Sequence, residues 1–292
     1  MKVLVTGGNG QLGKCLQSVV MSKPYSESYR FVDRTELDIT NKDQVKEVIQ
    51  GYDVVINCAA YTNVEKAEDD YSTAYAINVI GVENLMNACR ESGSFLIHIS
   101  TDFVFDGRQN HPYSECSSKN PLSNYGLTKS EGENILLDNG FGMIIRTSWL
   151  YSEYGNNFYR TMLQRIREGK ITRVISDQIG TPTYARDLAN FICDIIEHDE
   201  ELESKGGSIY HFTNYGCCSW YDFAKTIEIF DQGYYNGGFI QPCTENEYPT
   251  KARRPRYSVL RKQHILEFGV EPRHWIEALS ECMSLDLNRR NI

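Results

Sequence analysis

The run MKVLVTGGNGQLG at residues 1–13 constrains this chain more than any other stretch. Val3, Leu4 and Val5 form a short apolar run with no polar interruption, as expected of a strand buried on both faces. Gly7, Gly10 and Gly13 follow at G-x-x-G-x-x-G spacing, and Leu12, Leu16, Val19 and Val20 then recur with a helical period. Strand, glycine turn and helix in this order predict a dinucleotide site. One glycine bends the chain, a second admits a pyrophosphate, and a third lets helix and strand pack. The free N–H groups at the helix start attract the anion. Asp33 stands twenty residues beyond Gly13, at the end of a second short run, Tyr29 to Val32. Its carboxylate is placed for ribose hydroxyls, whereas the neighbouring Arg34 suits a 2′-phosphate. Acid and base side by side leave NADH and NADPH both open.

Composition narrows the class of partner. The 292 residues are 41% hydrophobic and 24% charged, enough for a packed core, and the net charge of −9 argues against nucleic acid or an anionic membrane as main partner. No apolar stretch approaches the roughly 20 residues of a membrane span, and the N-terminus enters a strand at once, leaving no room for a signal peptide. The nine cysteines are scattered, with no C-x-x-C pair and no zinc-like spacing, so no metal site is expected. They read as reduced, mostly structural thiols of a cytoplasmic protein.

The first half alternates strand and helix signals. Helices are expected over 42–50, 71–92 and 123–137, and strands over 53–57, 95–100 and 143–147. This rhythm predicts an α/β fold, a Rossmann-type doubly wound parallel sheet. After residue 151 the rhythm loosens. Helices are expected over 158–168, 184–197, 220–230 and 275–283, with strands near 173–175 and 208–212. Gly, Pro and Tyr cluster between them, at 180–184, 231–238 and 251–257. Residues 1–150 therefore read as a dinucleotide-binding domain. Residues 151–292 read as a smaller irregular substrate lobe, some of whose segments return to the sheet.

Chemistry points to Tyr125-Gly-Leu-Thr-Lys129. Residues four apart share a helix face, so phenol and ammonium emerge together. A nearby cation lowers the phenol's ordinary pKa of about 10, and such a tyrosine can give a proton to a carbonyl oxygen as hydride reaches its carbon. Ser100 and Thr101 end the preceding strand, where a hydroxyl can hold the same oxygen. Asp102, Asp106 and Glu115 are explained by loop and turn chemistry rather than by a metal.

With these residues in view, the chain resembles the dTDP-4-dehydrorhamnose reductase family of the extended short-chain dehydrogenase/reductase superfamily. The resemblance covers nearly the whole chain: GGNGQLG (7–13), ELDITN (36–41), VINCAAYTNVEKAE (55–68), the Asn78 region, STDFVFDG (100–107), YGLTKSEGE (125–133), RTSWLY (146–151), GNNF (155–158), DQIGTPT (177–183) and RRP (253–255). It implies NAD(P)H-dependent reduction of a nucleotide-linked 4-keto-6-deoxyhexose, by a monomer or homodimer. Thr101, Tyr125 and Lys129 match the catalytic trio, with Lys129 on the nicotinamide ribose. Gly7, Gly10, Gln11, Leu12 and Gly13 match the pyrophosphate turn, Asp38 and Ile39 the border of the adenine, and Ala59, Ala60 and Tyr61 the second ribose. Trp149, Asn157, Gln178 and Arg254 stand where the family meets its sugar nucleotide, with Asp102 and Phe103 beside Thr101. Phe103 replaces a usual tyrosine, Tyr257 a usual asparagine, and Cys15 an acidic residue that some members use in a metal-bridged dimer. An epimerase or dehydratase on the same scaffold, or a non-catalytic NADP-binding partner like the methionine adenosyltransferase β subunit, are the alternatives. A dehydratase is expected to carry a Glu after Asp102, and this chain does not.

Overall fold

The apolar runs of the first half become β1 (Val3–Thr6), β2 (Tyr29–Val32), β3 (Val54–Asn57), β4 (Phe95–Thr101) and β5 (Met143–Thr147), and β6 (Ser208–His211) joins them from the second half. The structure is a computed structural model that describes residues 1–198, 202–231 and 238–290. All six strands are parallel, in the order β6-β5-β4-β3-β1-β2. The chain leaves β1 for the edge strand β2 and returns on the other side as β3, so the connection reverses between β1 and β3. Open parallel sheets bind ligands in the crevice at this reversal.

Both faces of the sheet are covered, which is why its strands are apolar without alternation. Leu16 and Val19 of the helix Gln11–Val20 pack on one face together with Leu188 and Ile192 of the helix Ala185–His198. Val45 and Ile49 of Lys42–Ile49, with Leu85 and Met86 of Gly81–Ser92, pack on the other. Past residue 150 the chain thus returns to the sheet twice, as the helix Ala185–His198 and as β6.

A second core lies apart from the sheet. Tyr159, Leu163, Phe223, Ile227, Trp275 and Leu279 gather there from the helices Phe158–Arg167, Trp220–Phe230 and Trp275–Arg290. They close over a parallel strand pair, Ile171–Ile175 with Phe239–Cys243. The latter strand was not expected from the sequence, because Pro242 removes a ladder donor and marks an edge position. The Gly- and Tyr-rich stretch 232–237 lies outside the described residues.

The helix expected over 71–92 is interrupted. Tyr71–Tyr75 is α-helical, Ala76–Ile80 widens into a π turn, and Gly81–Ser92 resumes the α-helix. The wide turn carries the buried Asn78, whose side chain bonds outside the helix. Such bulges often mark functional positions.

The glycine turn shows why no other residue serves. Gly7 has φ +65°, and a Cβ there would lie 2.7 Å from the Ala59 nitrogen. A Cβ on Gly13 would lie 2.5 Å from the Gly7 oxygen and 2.6 Å from the Gly8 oxygen. Gly13→Ala should therefore push the helix Gln11–Val20 off β1. We expect a loss of about 1–3 kcal/mol in urea unfolding, together with loss of dinucleotide binding measured by nicotinamide fluorescence.

Candidate active site

The carboxyl ends of β1, β3 and β4 meet at one place, and the glycine turn opens onto it. The helix Gln11–Val20 starts at Gly10 with no side-chain cap and no acidic residue in its first turn. Its leading N–H groups are free for an anion. The Leu12 side chain is buried in the core, so only its main chain can face a ligand. Gln11 turns its amide oxygen to the Asn157 Nδ2 (2.8 Å), away from the turn itself. A tight, side-chain-free turn at the sheet's reversal fits a dinucleotide pyrophosphate.

Around this turn, the expected cofactor residues divide. Asp33 holds the Thr35 main-chain N–H (2.8 Å) and hydroxyl (2.6 Å) and the Asn9 amide. The Thr35 hydrogen bonds keep its carboxyl below the usual range. Arg34 is exposed and leans on Asp38 (3.2 Å). Asp38 in turn accepts from the main chain and hydroxyl of Thr40. Ile39 is buried against Gly81, so it belongs to the core. The half-buried Ala59, Ala60 and Tyr61 follow β3 at the cleft. Asn78 clasps Tyr61 twice, accepting from its N–H (2.9 Å) and donating to its carbonyl (3.2 Å), and reaches Thr128 as well (3.1 Å).

The helix Asn124–Asp138 begins at a Ser123 cap and carries Tyr125 and Lys129 inward. A Cβ on Gly126 would collide with the Phe103 carbonyl, so helix and strand-end loop touch backbone to backbone. The Tyr125 phenol stands beside Thr101, and the Phe103 ring meets its edge (5.6 Å, 70°). Burial pushes the phenol up to about 12. Here the structure departs from the sequence expectation. Lys129 does not acidify the phenol, because its amine is spent on the Ile99 carbonyl (2.7 Å) and His98 Nε2 (3.2 Å). Burial brings that amine down to about 8.

Two of the carboxylates read as loop and turn residues are also buried. Asp102 opens the 3-10 turn Asp102–Val104 but is only 1% exposed, and burial raises its carboxyl to about 7, against a hydrogen bond from the Thr101 hydroxyl (3.1 Å). Glu115 is also buried. Glu115 sits in the turn closed by Ser117 N–H to the Ser114 carbonyl, and Asp106 ties down its loop by accepting from the Arg108 N–H, Tyr113 and Asn120. Ser100 faces away from Thr101's side, donating to Glu133 (2.5 Å). Glu133 pairs with Arg146 through two bonds (2.7 and 2.8 Å), and Lys119 joins at 3.1 Å. Burial works to raise the Glu133 carboxyl, but Arg146 and its neighbours outweigh it and hold it low. This buried polar network was not anticipated, because its members come from segments far apart in the chain.

A cavity of about 490 Å³ lies in the second lobe, lined by Phe158, Arg165, Thr172, Gln178, Trp220 and Arg254 among others. Gln178 is 2% exposed, and neither amide atom has a partner among the described residues. The Thr172 hydroxyl, also on the wall, is in the same condition. Arg254 bonds Glu65 (2.5 Å). Trp149 and Asn157 are not on this wall. Trp149, at φ +47°, stacks on Trp220 (3.5 Å, 7°). Asn157 caps the helix Phe158–Arg167 and spends its amide protons on Gln11, Ser152 and Tyr154.

A tyrosine and a lysine one turn apart, beside a strand-end threonine and a dinucleotide turn, define a short-chain dehydrogenase/reductase. Comparison with known proteins narrows this. The RmlD substrate binding domain family matches residues 1–287. The dTDP-4-dehydrorhamnose reductase of Aggregatibacter actinomycetemcomitans is 42% identical over 95% of this chain and 97% of its own. Among solved structures, a dTDP-4-dehydrorhamnose reductase from Clostridium acetobutylicum superposes with TM-score 0.87 at 40% identity, covering 98% of this chain and 99% of that one. One from Bacillus anthracis, in complex with NADP, also gives 0.87 at 38% identity, over 97% and 99%. The chain belongs to the dTDP-4-dehydrorhamnose reductase family.

Gln178→Met tests the cavity. Unpartnered buried amides cost about 1–3 kcal/mol, so the variant should match or exceed the native chain in urea unfolding. It should nevertheless bind a nucleotide sugar at least tenfold more weakly by calorimetry.

Proposed function

We propose that this protein reduces the C4 ketone of dTDP-4-dehydro-L-rhamnose to dTDP-L-rhamnose with NADPH or NADH. The observation that carries the reading is that the buried Tyr125 phenol stands beside Thr101 at the end of β4, on the helix that also carries Lys129. Gly7, Gly10, Gln11, Leu12 and Gly13 hold the pyrophosphate by main-chain N–H groups. Asp33 and Arg34 meet the adenosine ribose, Asp38 and the main chain of Ile39 border the adenine, and Ala59, Ala60 and Tyr61 border the second ribose. Bound there, the reduced nicotinamide supplies the hydride.

The chain's own residues supply alignment and a proton. Thr101 donates to the ketone oxygen and Tyr125 delivers its phenolic proton to it as charge develops. The phenol, raised by burial, keeps that proton throughout the neutral range. Lys129 reaches the nicotinamide ribose, and Asp102 and Phe103 border the reacting end of the sugar. Gln178 and Thr172 fix the nucleotide in the cavity, and Arg254 faces its diphosphate by charge and paired hydrogen bonds. Trp149 stacks with Trp220 to shape the sugar side, and Asn157 acts through Gln11.

Residues 1–150 thus serve the cofactor and 151–292 mainly the substrate. We read the protein as a cytoplasmic enzyme, a monomer or homodimer. Among the described residues no helix is long and apolar enough to cross a membrane.

Tyr125→Phe should retain dinucleotide binding and lose about 10²–10⁴ of turnover, followed by the absorbance of reduced nicotinamide with the ketosugar nucleotide. Native rates in that variant would remove the tyrosine from the acid role. A native chain that binds dinucleotide yet consumes none would make it a non-catalytic partner protein.

A further inference from the structure

A buried chain of hydrogen bonds runs beneath the site and ends on Lys129. The Thr6 hydroxyl donates to Asn57 Oδ1 (2.7 Å), and the Ala59 main-chain N–H donates to the same atom (3.2 Å). A main-chain N–H can only donate, so the Asn57 oxygen is fixed and its Nδ2 must point at His98. Nδ2 lies 3.0 Å from His98 Nδ1, which therefore accepts. His98 is fully buried, and burial alone, the largest influence on it, favours the neutral imidazole. A neutral imidazole that accepts at Nδ1 carries its proton on Nε2. That N–H faces Lys129 Nζ at 3.2 Å. An ammonium has no lone pair to receive it, whereas a neutral amine accepts from His98 and still donates to the Ile99 carbonyl at 2.7 Å.

We propose that His98, its tautomer set by Asn57, is a positioning residue that favours the neutral amine form of Lys129, so that on the alkaline side of neutrality dinucleotide binding recruits a proton to it. The inference rests on the functional reading above for the site that Lys129 serves. The charge change is confined to one group: the amine leaves the His98 N–H, gains a proton from solvent, and becomes the ammonium that meets the ribose hydroxyls. The other titratable groups facing Lys129 do not supply the proton. Cys58, from the segment after β3, is pushed up to about 12, and Tyr125, one turn back, to about 12. Glu133, one turn on, is held low by Arg146. Asp102, which faces Tyr125, sits at about 7.

Calorimetry of NADPH binding near pH 9, in buffers of different ionisation enthalpy, tests this. At that pH Asp102 is already charged and the 2′-phosphate, with a second pKa of about 6, is already a dianion. The Tyr125→Phe chain is used, which keeps Lys129 and removes the phenol as a rival proton source. With the amine at about 8, binding should take up about 0.9 proton per dinucleotide. Lys129→Met in the same background should abolish the uptake. Asn57→Asp, isosteric at a side chain only 1% exposed, offers His98 Nδ1 an acceptor, moves the imidazole proton to Nδ1, and leaves Nε2 free to accept from an ammonium. Uptake should then fall below about 0.1 proton, a change that loss of packing alone would not produce. Tight binding without uptake in the Tyr125→Phe chain, or unchanged uptake in Asn57→Asp, overturns the inference and leaves the reductase reading standing. Failure to bind either dinucleotide overturns both.

Discussion

The helix Asn124–Asp138 lies as close to its neighbours as main-chain atoms permit, and the rest of the site follows from that approach. A Cβ at Gly126 would strike the Phe103 carbonyl, and one at Gly132 would strike the Asn78 carbonyl. The two contacts pin the helix at both ends of the segment that carries Tyr125 and Lys129. They also press its polar residues into the interior. Thr128, Lys129, Ser130 and Glu133 are all buried, so this helix has no apolar stripe. Its inner face is held by hydrogen bonds and charge. Burying charges this way is costly unless each is paired. Glu133 is paired by Arg146, Lys119 and Ser100, and Lys129 is satisfied by Ile99 and His98.

The same logic links the two lobes. Gln11 belongs to the glycine turn, yet its side chain reaches Asn157 and Ser152 in the segment that starts the second lobe. Asn157 in turn caps the helix Phe158–Arg167, whose first residue lines the cavity of the second lobe. Turn and cavity thus share one hydrogen-bonded bridge. Trp149, one of the marks of resemblance, occupies the strained left-handed region and stacks on Trp220. A bulky residue held there needs surrounding structure to impose it. The aromatic stack and the close approach to Gly180 do so.

How much could be read from the sequence depended on whether the signal was local. The glycine turn was legible because its constraints act between neighbours in the chain, at Gly7, Gly10 and Gly13. Tyr125 and Lys129 were legible as a pair because helical spacing alone puts them on one face. Gln178 and Arg254 were named from resemblance, and the structure brings both to the cavity wall. Thr172, on the same wall, was missed, since a threonine in an exposed-looking edge strand gives no signal of its own. His98 did carry a faint one: it is the lone imidazole in the apolar run FLIHIS. Its consequence could not be read, because Asn57 and Lys129 are far from it in sequence.

The sequence by itself determined the alternation of elements, the parallel sheet, the glycine turn and the pairing of Tyr125 with Lys129 on one helix. These rest on period, glycine spacing and residue chemistry, all of which act over a few residues. Tertiary structure alone decided the protonation environment. Tyr125 is raised rather than lowered, Lys129 bonds a carbonyl rather than approaching the phenol, and Asp102 is a buried acid near neutrality. Desolvation and hydrogen-bond partners set those properties, and both come from chain segments that meet only when the sheet is assembled.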